Sequence, residues 1–230
     1  MKIYKMGLFL GIALALTACN SKTNFEITGS LTNVPDGTYV YLNQVGNAQD
    51  ETGVKLDSMV VQGNVFRFEG KIDQPTLGYL SFQNQKGRIP LFIESGKTEV
   101  NINQDNFTSF ALKGTENNEV LSEFERNLSL YKYNLLSYQG QQQNAYMEAL
   151  QNKDEEKMNQ IVATYKKLQD DQNIFVSNYL EQHKTSLTAL YYLYYTSGDD
   201  LTQLTEVYES LSETDKQSNL AKLVADKLKK

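Results

Sequence analysis

The chain has 230 residues, a formal charge of −6 and a mean hydropathy of −0.50. With 28 acidic against 22 basic side chains and no basic block, it offers no phosphate-neutralising surface, so nucleic acid is not an expected partner. A single histidine, His183, and a single cysteine, Cys19, leave little from which to build a metal site or a catalytic triad.

Residues 1–18 open with Lys2 and Lys5, followed by an uncharged apolar run over residues 6–16. Eleven residues at ~1.5 Å each span about 16 Å, roughly half of a ~30 Å hydrocarbon core. That is too short to cross a membrane and suits the apolar region of a secretory signal. The run ends in Leu16-Thr17-Ala18-Cys19, small residues before a cysteine, which resembles the lipobox of bacterial lipoprotein signals. The resemblance implies cleavage between Ala18 and Cys19 and a covalent lipid, such as palmitate, on the Cys19 thiol. A mature lipoprotein carries two or three chains on that residue. At ~0.8 kcal/mol per buried methylene they give stable membrane attachment, where one chain holds only marginally. The lipid is the only prosthetic group expected, and with the thiol consumed no disulfide, thiolate metal site or cysteine nucleophile remains. Removing 18 of 230 residues leaves 212, and the two lost lysines move the charge from −6 to −8. Residues 19–24 form a short tether. Asn20 is not the acidic residue that signals inner-membrane retention, and residues 21–24 lack an acidic export cluster. The expected location is therefore the cell envelope, on the periplasmic face of the outer membrane.

Residues 25–115 read as β. FEITGSL (25–31) alternates apolar and polar, Pro35-Asp36-Gly37 signals a turn, and TYVYLNQV (38–45) is rich in β-branched and aromatic residues. Residues 58–70 predict a hairpin, with Gly63-Asn64 at a two-residue turn that needs positive φ. LGYLSFQ (77–83), RIPLFIE (88–94), TEVNIN (98–103) and FALKG (110–114) complete seven to eight strands. Pro90 suits an edge strand, because it has no amide hydrogen to give a ladder. Short, regularly spaced strands predict an antiparallel sandwich or barrel.

From Glu116 the period changes, making the fold class α+β. Leu121, Phe124, Leu128, Tyr131, Leu135 and Tyr138 are spaced 3, 4, 3, 4, 3, with Asn117 or Asn118 as the expected cap. Ile161, Tyr165, Leu168, Gln172, Phe175 and Tyr179 repeat the alternation. Gly140 and the glutamines at 141–143 predict the turn between these two long antiparallel helices. Three shorter helices are expected over 186–197, 200–211 and 215–229. Their caps are Ser186, Asp199 or Asp200, and Thr214 or Asp215. The helical region 116–230 is expected to dock on the sheet, with residues 113–117 as an alternative hinge. The charged stretch 152–171 reads as a solvated helix face; Glu155 and Glu156 are adjacent and point apart, which makes them poor chelators.

Chemistry is sparse. His183 sits at a predicted helix end, where a cation is favoured. No nucleophile-elbow motif and no glycine-rich phosphate loop is present. The most unusual composition is Leu190-Tyr191-Tyr192-Leu193-Tyr194-Tyr195. On a helix these residues either pack with their hydroxyls at the rim of a core or form an aromatic groove for a peptide or glycan, with Tyr191, Tyr192, Tyr194 and Tyr195 as the candidate surface.

Five segments in order resemble a known family: FEITGSL, PDGTYVYL, KLDSMVVQGNVFRFEGKIDQP, IPLFIESGKTEVNI and LKGTENNEVLSEF. They are similar to the domain of unknown function 4369 that precedes thioredoxin-like disulfide reductases on Bacteroidetes lipoproteins. The resemblance covers about residues 25–125. It rests on Asp57-Ser58, Gly63-Asn64, Phe66, Phe68, Glu94-Ser95-Gly96, Gly114 and Asn117, all structural positions. The redox domain of the longer relatives, with its Cys-x-x-Cys pair, would begin near LVADKLKK, and no such pair occurs in this sequence. Their reductase activity is therefore not transferred. The expected function is a non-catalytic binding or scaffolding module tethered in the envelope. The alternatives are an accessory to a separate thioredoxin-like reductase and, lower, a hydrolase using two carboxylates.

Overall fold

The computed structural model describes residues 23–46, 53–103 and 110–229. Eight strands come first: β1 (Phe25–Thr32), β2 (Tyr39–Gln44), β3 (Val54–Val60), β4 (Val65–Gly70), β5 (Thr76–Phe82), β6 (Ile89–Ile93), β7 (Gly96–Asn103) and β8 (Phe110–Lys113). They form two four-stranded sheets, β4-β1-β7-β8 and β3-β2-β5-β6. The arrangement is an open sandwich, so of the two expected architectures the barrel falls away.

Alternation places Ile27, Leu31, Phe66, Phe68, Val100 and Ile102 of the first sheet against Val40, Leu42, Leu80, Phe82, Ile89 and Leu91 of the second, all buried. Gly29 lies opposite Phe66, and a Cβ at residue 29 would collide with that ring, so the glycine makes room for the aromatic. Every described pair is antiparallel except one: β1 and β7 run parallel, from Phe25↔Gly96 to Thr32↔Asn103. A parallel pair requires a crossover, and here the crossover passes through the second sheet.

The predicted hairpin at 58–70 is half realised. Gly63 and Asn64 take φ of 61° and 64°, and Gln62 and Val65 exchange both backbone bonds at 3.1 and 3.2 Å. The strands then part: β3 pairs with β2 and β4 pairs with β1. The turn is a corner between sheets, and β4 buries Phe66 and Phe68 beside β1 in the first sheet.

The helices are α1 (Glu116–Asn152), α2 (Glu155–Gln182), α3 (Leu187–Thr196), α4 (Thr202–Ser210) and α5 (Asn219–Leu228), with a 3₁₀ turn at Asp215–Gln217. The turn expected at Gly140 is absent, and α1 runs through it for 37 residues. One glycine costs a helix about 1 kcal/mol, and the glutamine, alanine, methionine and leucine around it are good helix formers. The reversal falls instead at Lys153, whose φ is 57°; Asp154 then caps α2 by accepting from the Lys157 amide at 3.0 Å. Ser186 caps α3 as expected, whereas Ser218, not Thr214 or Asp215, caps α5. The α4 cap position is Leu201; Asp200 accepts from the Thr202 amide at 3.0 Å just ahead of it.

Two asparagines fasten the helices to the second sheet. Asn118 is fully buried. It accepts from the Phe92 amide at 2.8 Å and donates to the Phe92 carbonyl at 2.8 Å, copying a neighbouring strand along the open edge of β6. It is thus a joint rather than the expected cap, and Thr115 holds the cap position. Pro90, two residues before Phe92, has its missing amide on this same open side, as an edge strand allows. Asn219 accepts from the Leu77 amide at 2.6 Å and donates to the Leu77 carbonyl at 3.2 Å, seating α5 on β5. The buried side chains of sheets and helices form one continuous core.

Candidate functional site

Cys19 and Ala18 lie outside the described residues. His183 ends α2 as predicted, its ring stacked 4.2 Å from that of Tyr179.

The tyrosine segment is α3. Leu187, Ala189, Leu190 and Leu193 are buried and anchor the helix, so the tyrosines divide by phase. Tyr192 meets Phe124 edge-on at 5.2 Å. Tyr191 shares a hydrogen bond with the Glu125 carboxyl; burial, with that carboxyl beside it, holds the phenol far above its ordinary range, and burial also raises Glu125. Tyr194 is buried beneath Lys227, whose ammonium lies 5.5 Å from the ring and donates to the Tyr194 carbonyl and the Ser197 hydroxyl at 3.0 and 3.1 Å. Tyr195 alone faces outward, 57% exposed, with its ring against those of Tyr191 and Tyr194. Three of the four are thus packed, and one remains on the surface beside the Arg88–Tyr79 stack.

The sheet-to-helix junction gathers several of the residues that carry the family resemblance. Gly114 has φ of 102°, and a Cβ there would strike the Lys97 carbonyl. Glu94 accepts from Asn117 at 2.7 Å, and burial raises its carboxyl above the ordinary range. These groups surround Asn118, which the Thr115 hydroxyl also holds at 2.9 Å, and they hold the fold together. Among the described residues no three histidine, cysteine, aspartate or glutamate side chains stand close enough to hold a metal ion. Nor is any described helix long and apolar enough to cross a membrane.

A run of exposed apolar side chains lies on the α1–α2 hairpin. Between Leu128 of α1 and Val176 of α2, Ala149 is the one buried side chain. The 24 residues that follow Leu128, as far as Asn152, therefore project about 36 Å as an arm. Its seam is shallow: Tyr131 stacks on Phe175 at 5.0 Å, and the Tyr138 hydroxyl donates to the Ile161 carbonyl at 3.3 Å. Outside the seam, Tyr133, Leu136, Met147, Leu150, Val162 and Ile174 are all at least half exposed. A groove of about 680 Å³ runs along this face, lined by Leu136, Gly140, Gln143 and Met147 of α1 with Val162 and Tyr165 of α2. A second groove of about 540 Å³ follows where α1 leaves the first sheet, between Phe110, Arg126, Leu130 and Tyr133. Apolar side chains left exposed along one element make this face the candidate contact surface.

The inward stripe of α1 is plain in the sequence; this outward one is easily missed. Its signal is charge depletion. Residues 133–147, four turns of an exposed helix, contain no Asp, Glu, Lys or Arg, in a chain where 22% of residues are charged. Contact surfaces are depleted of charge at their centres and enriched in Tyr and Met in the same way.

Residues 25–121 match the family model of a domain of unknown function (DUF4369). The match runs from the first residue of β1 to Leu121, so it takes in the whole sandwich and the Asn118 joint and stops before the arm. No curated protein and no solved structure matches the chain.

Proposed function

We propose that this chain, whose residues 25–121 form a DUF4369 domain, is a lipid-anchored module of the bacterial cell envelope that binds or scaffolds another macromolecule without catalysing a reaction. The observation that carries the binding role is the arm: some 36 Å of helical hairpin with an uncharged, partly apolar stretch over residues 133–147 and no described residue outside the hairpin laid over it. The anchoring role rests on Leu16-Thr17-Ala18-Cys19 behind a basic start and a short apolar run. Attached through Cys19 to the outer membrane, the domain presents the arm to the periplasm.

Metabolic labelling with a palmitate analogue, followed by detergent-phase partition, tests the anchor. The wild type takes up label and enters the detergent phase, and Cys19→Ser does neither. Equal labelling of both proteins would overturn the anchor. For the binding role, in-cell crosslinking from a photoreactive residue at position 136 gives discrete adducts, whereas the same residue at position 167 gives none. An absence of adducts at position 136 would remove the arm as a contact site.

The similarity of residues 25–121 to domains that precede thioredoxin-like reductases favours one partner class, a separate thioredoxin-like reductase for which this chain is an accessory. That reading predicts a changed thiol status of envelope proteins on deletion of the chain; an unchanged status would sink it.

A further inference from the structure

We propose that the arm pairs with a second copy of this chain, the two α1 helices crossing antiparallel with a two-fold axis at Gly140. The inference rests on the arm being a binding surface and names what occupies it. Tyr133, Leu136, Gly140, Gln143, Met147 and Leu150 are spaced 3, 4, 3, 4, 3, a continuous seam for a second helix. One pair of that seam is symmetric about its glycine: Tyr133 lies seven residues before Gly140 and Met147 seven after. An antiparallel two-fold therefore sets Tyr133 of each copy against Met147 of the other, a favourable sulfur–aromatic pairing. Leu136 then falls beside Gln143 across the axis.

At the axis itself the two helices must approach most closely, and Gly140 is the one position of the seam without a Cβ. A Cβ built there meets nothing within 4 Å, so the helix surface is open where the partner backbone would cross. Charge permits a like partner and disfavours one selected by opposite charge. A two-fold contact lays a patch on its own image, so any net charge in the patch repels itself. Residues 133–147 carry no charge at all, whereas the rest of the hairpin is laced with lysine, aspartate and glutamate. A partner chosen by charge would need the opposite: a patch with a sign. The groove of about 680 Å³ that adds Val162 and Tyr165 to the α1 seam receives the second α1, giving a four-helix assembly of two hairpins.

Oxidative crosslinking of the full-length protein in membranes tests the geometry, with the wild type as the blank because its one cysteine is Cys19. Gly140→Cys forms a disulfide-linked dimer by itself. Tyr133→Cys and Met147→Cys each link poorly alone and link to one another when co-expressed. Lys167→Cys, on the far side of α2, does not link. Sedimentation of the detergent-extracted protein reports a dimer that Leu136→Glu weakens at least tenfold, with circular dichroism showing the helices intact. A monomer throughout, or equal linking at positions 140 and 167, overturns the two-copy arrangement. If the protein is a monomer but residue 136 still gives discrete adducts to another protein, the binding role stands and only the choice of partner is wrong. If position 136 gives no adducts of any kind, both fall.

Discussion

Replacing Asn118 with leucine is the sharpest probe of how the helical region is held to the sandwich. Asn118 is fully buried; its side chain pairs with the amide and carbonyl of Phe92 and with the hydroxyls of Thr98 and Thr115, at 2.8, 2.8, 3.2 and 2.9 Å. Leucine fills nearly the same volume, so little packing is lost. The Phe92 amide and carbonyl, however, lose their partner in a place water does not reach. Each stranded backbone group costs about 1–3 kcal/mol, so the pair costs about 2–6 kcal/mol. Thr98 and Thr115 already lie 3.4 Å apart and satisfy one another, so they add little. Against a total of about 5–15 kcal/mol for a folded domain, the loss is large. Urea titration followed by fluorescence should show a midpoint lowered by that free energy divided by an unchanged slope, together with faster hydrogen exchange at the Phe92 amide. Asn118→Asp separates donor from acceptor. It still accepts from the Phe92 amide but sets a carboxylate against the Phe92 carbonyl, so its deficit shrinks at low pH, where the protonated carboxyl can donate. A loss below about 1 kcal/mol for the leucine variant, with Phe92 still protected, would refute the role given to Asn118.

Two further outcomes follow from the helices. Gly140→Ala, at an exposed helix position with open space around it, should stabilise the monomer by about 0.5–1 kcal/mol, or about 1–4 °C in thermal midpoint, measured in dilute detergent; a lower midpoint would contradict the continuous path of α1. Glu125 is raised by burial, so the folded protein holds that proton to higher pH than the unfolded chain does. Its contribution is complete below the unfolded carboxyl range and is lost as pH rises through the folded value. Glu125→Gln should therefore be more stable than the wild type at pH 7 and match it near pH 4, and a pH-independent difference in urea midpoint would refute this.

How far the sequence discloses the molecule differs by level. Strand positions were legible where burial on one face imposes a period of two, as in β1, β4 and β7, and each predicted segment overlaps a strand. Pairing was not: β1 and β7 are neighbours although five strands separate them in the chain, and no local pattern encodes that. Residues 63–64 show the boundary well, since the turn chemistry was readable but the parting of β3 and β4 depends on the core beyond. At Gly140 a local breaker signal lost to the helix formers around it, while the true reversal at Lys153 used a residue with no turn propensity of its own. Asn118 reads as a cap because asparagine is common there; its bond to Phe92 is long-range and invisible locally. Among the candidate tyrosines, composition marked the segment, but only packing could separate Tyr195 from its neighbours.

The central position of β1 has a mechanical consequence. The strand is bonded along both edges, to β4 over six residues and to β7 over eight, and Asn24 just ahead of it clamps the amide and carbonyl of Ile72. A tension entering from the amino-terminal side and directed along the strand meets these two ladders in shear. Many hydrogen bonds must then yield together, where a strand peeled from an edge would give them up one at a time. Under the proposed anchoring through Cys19, such a load falls on the strand of the first sheet least able to slip.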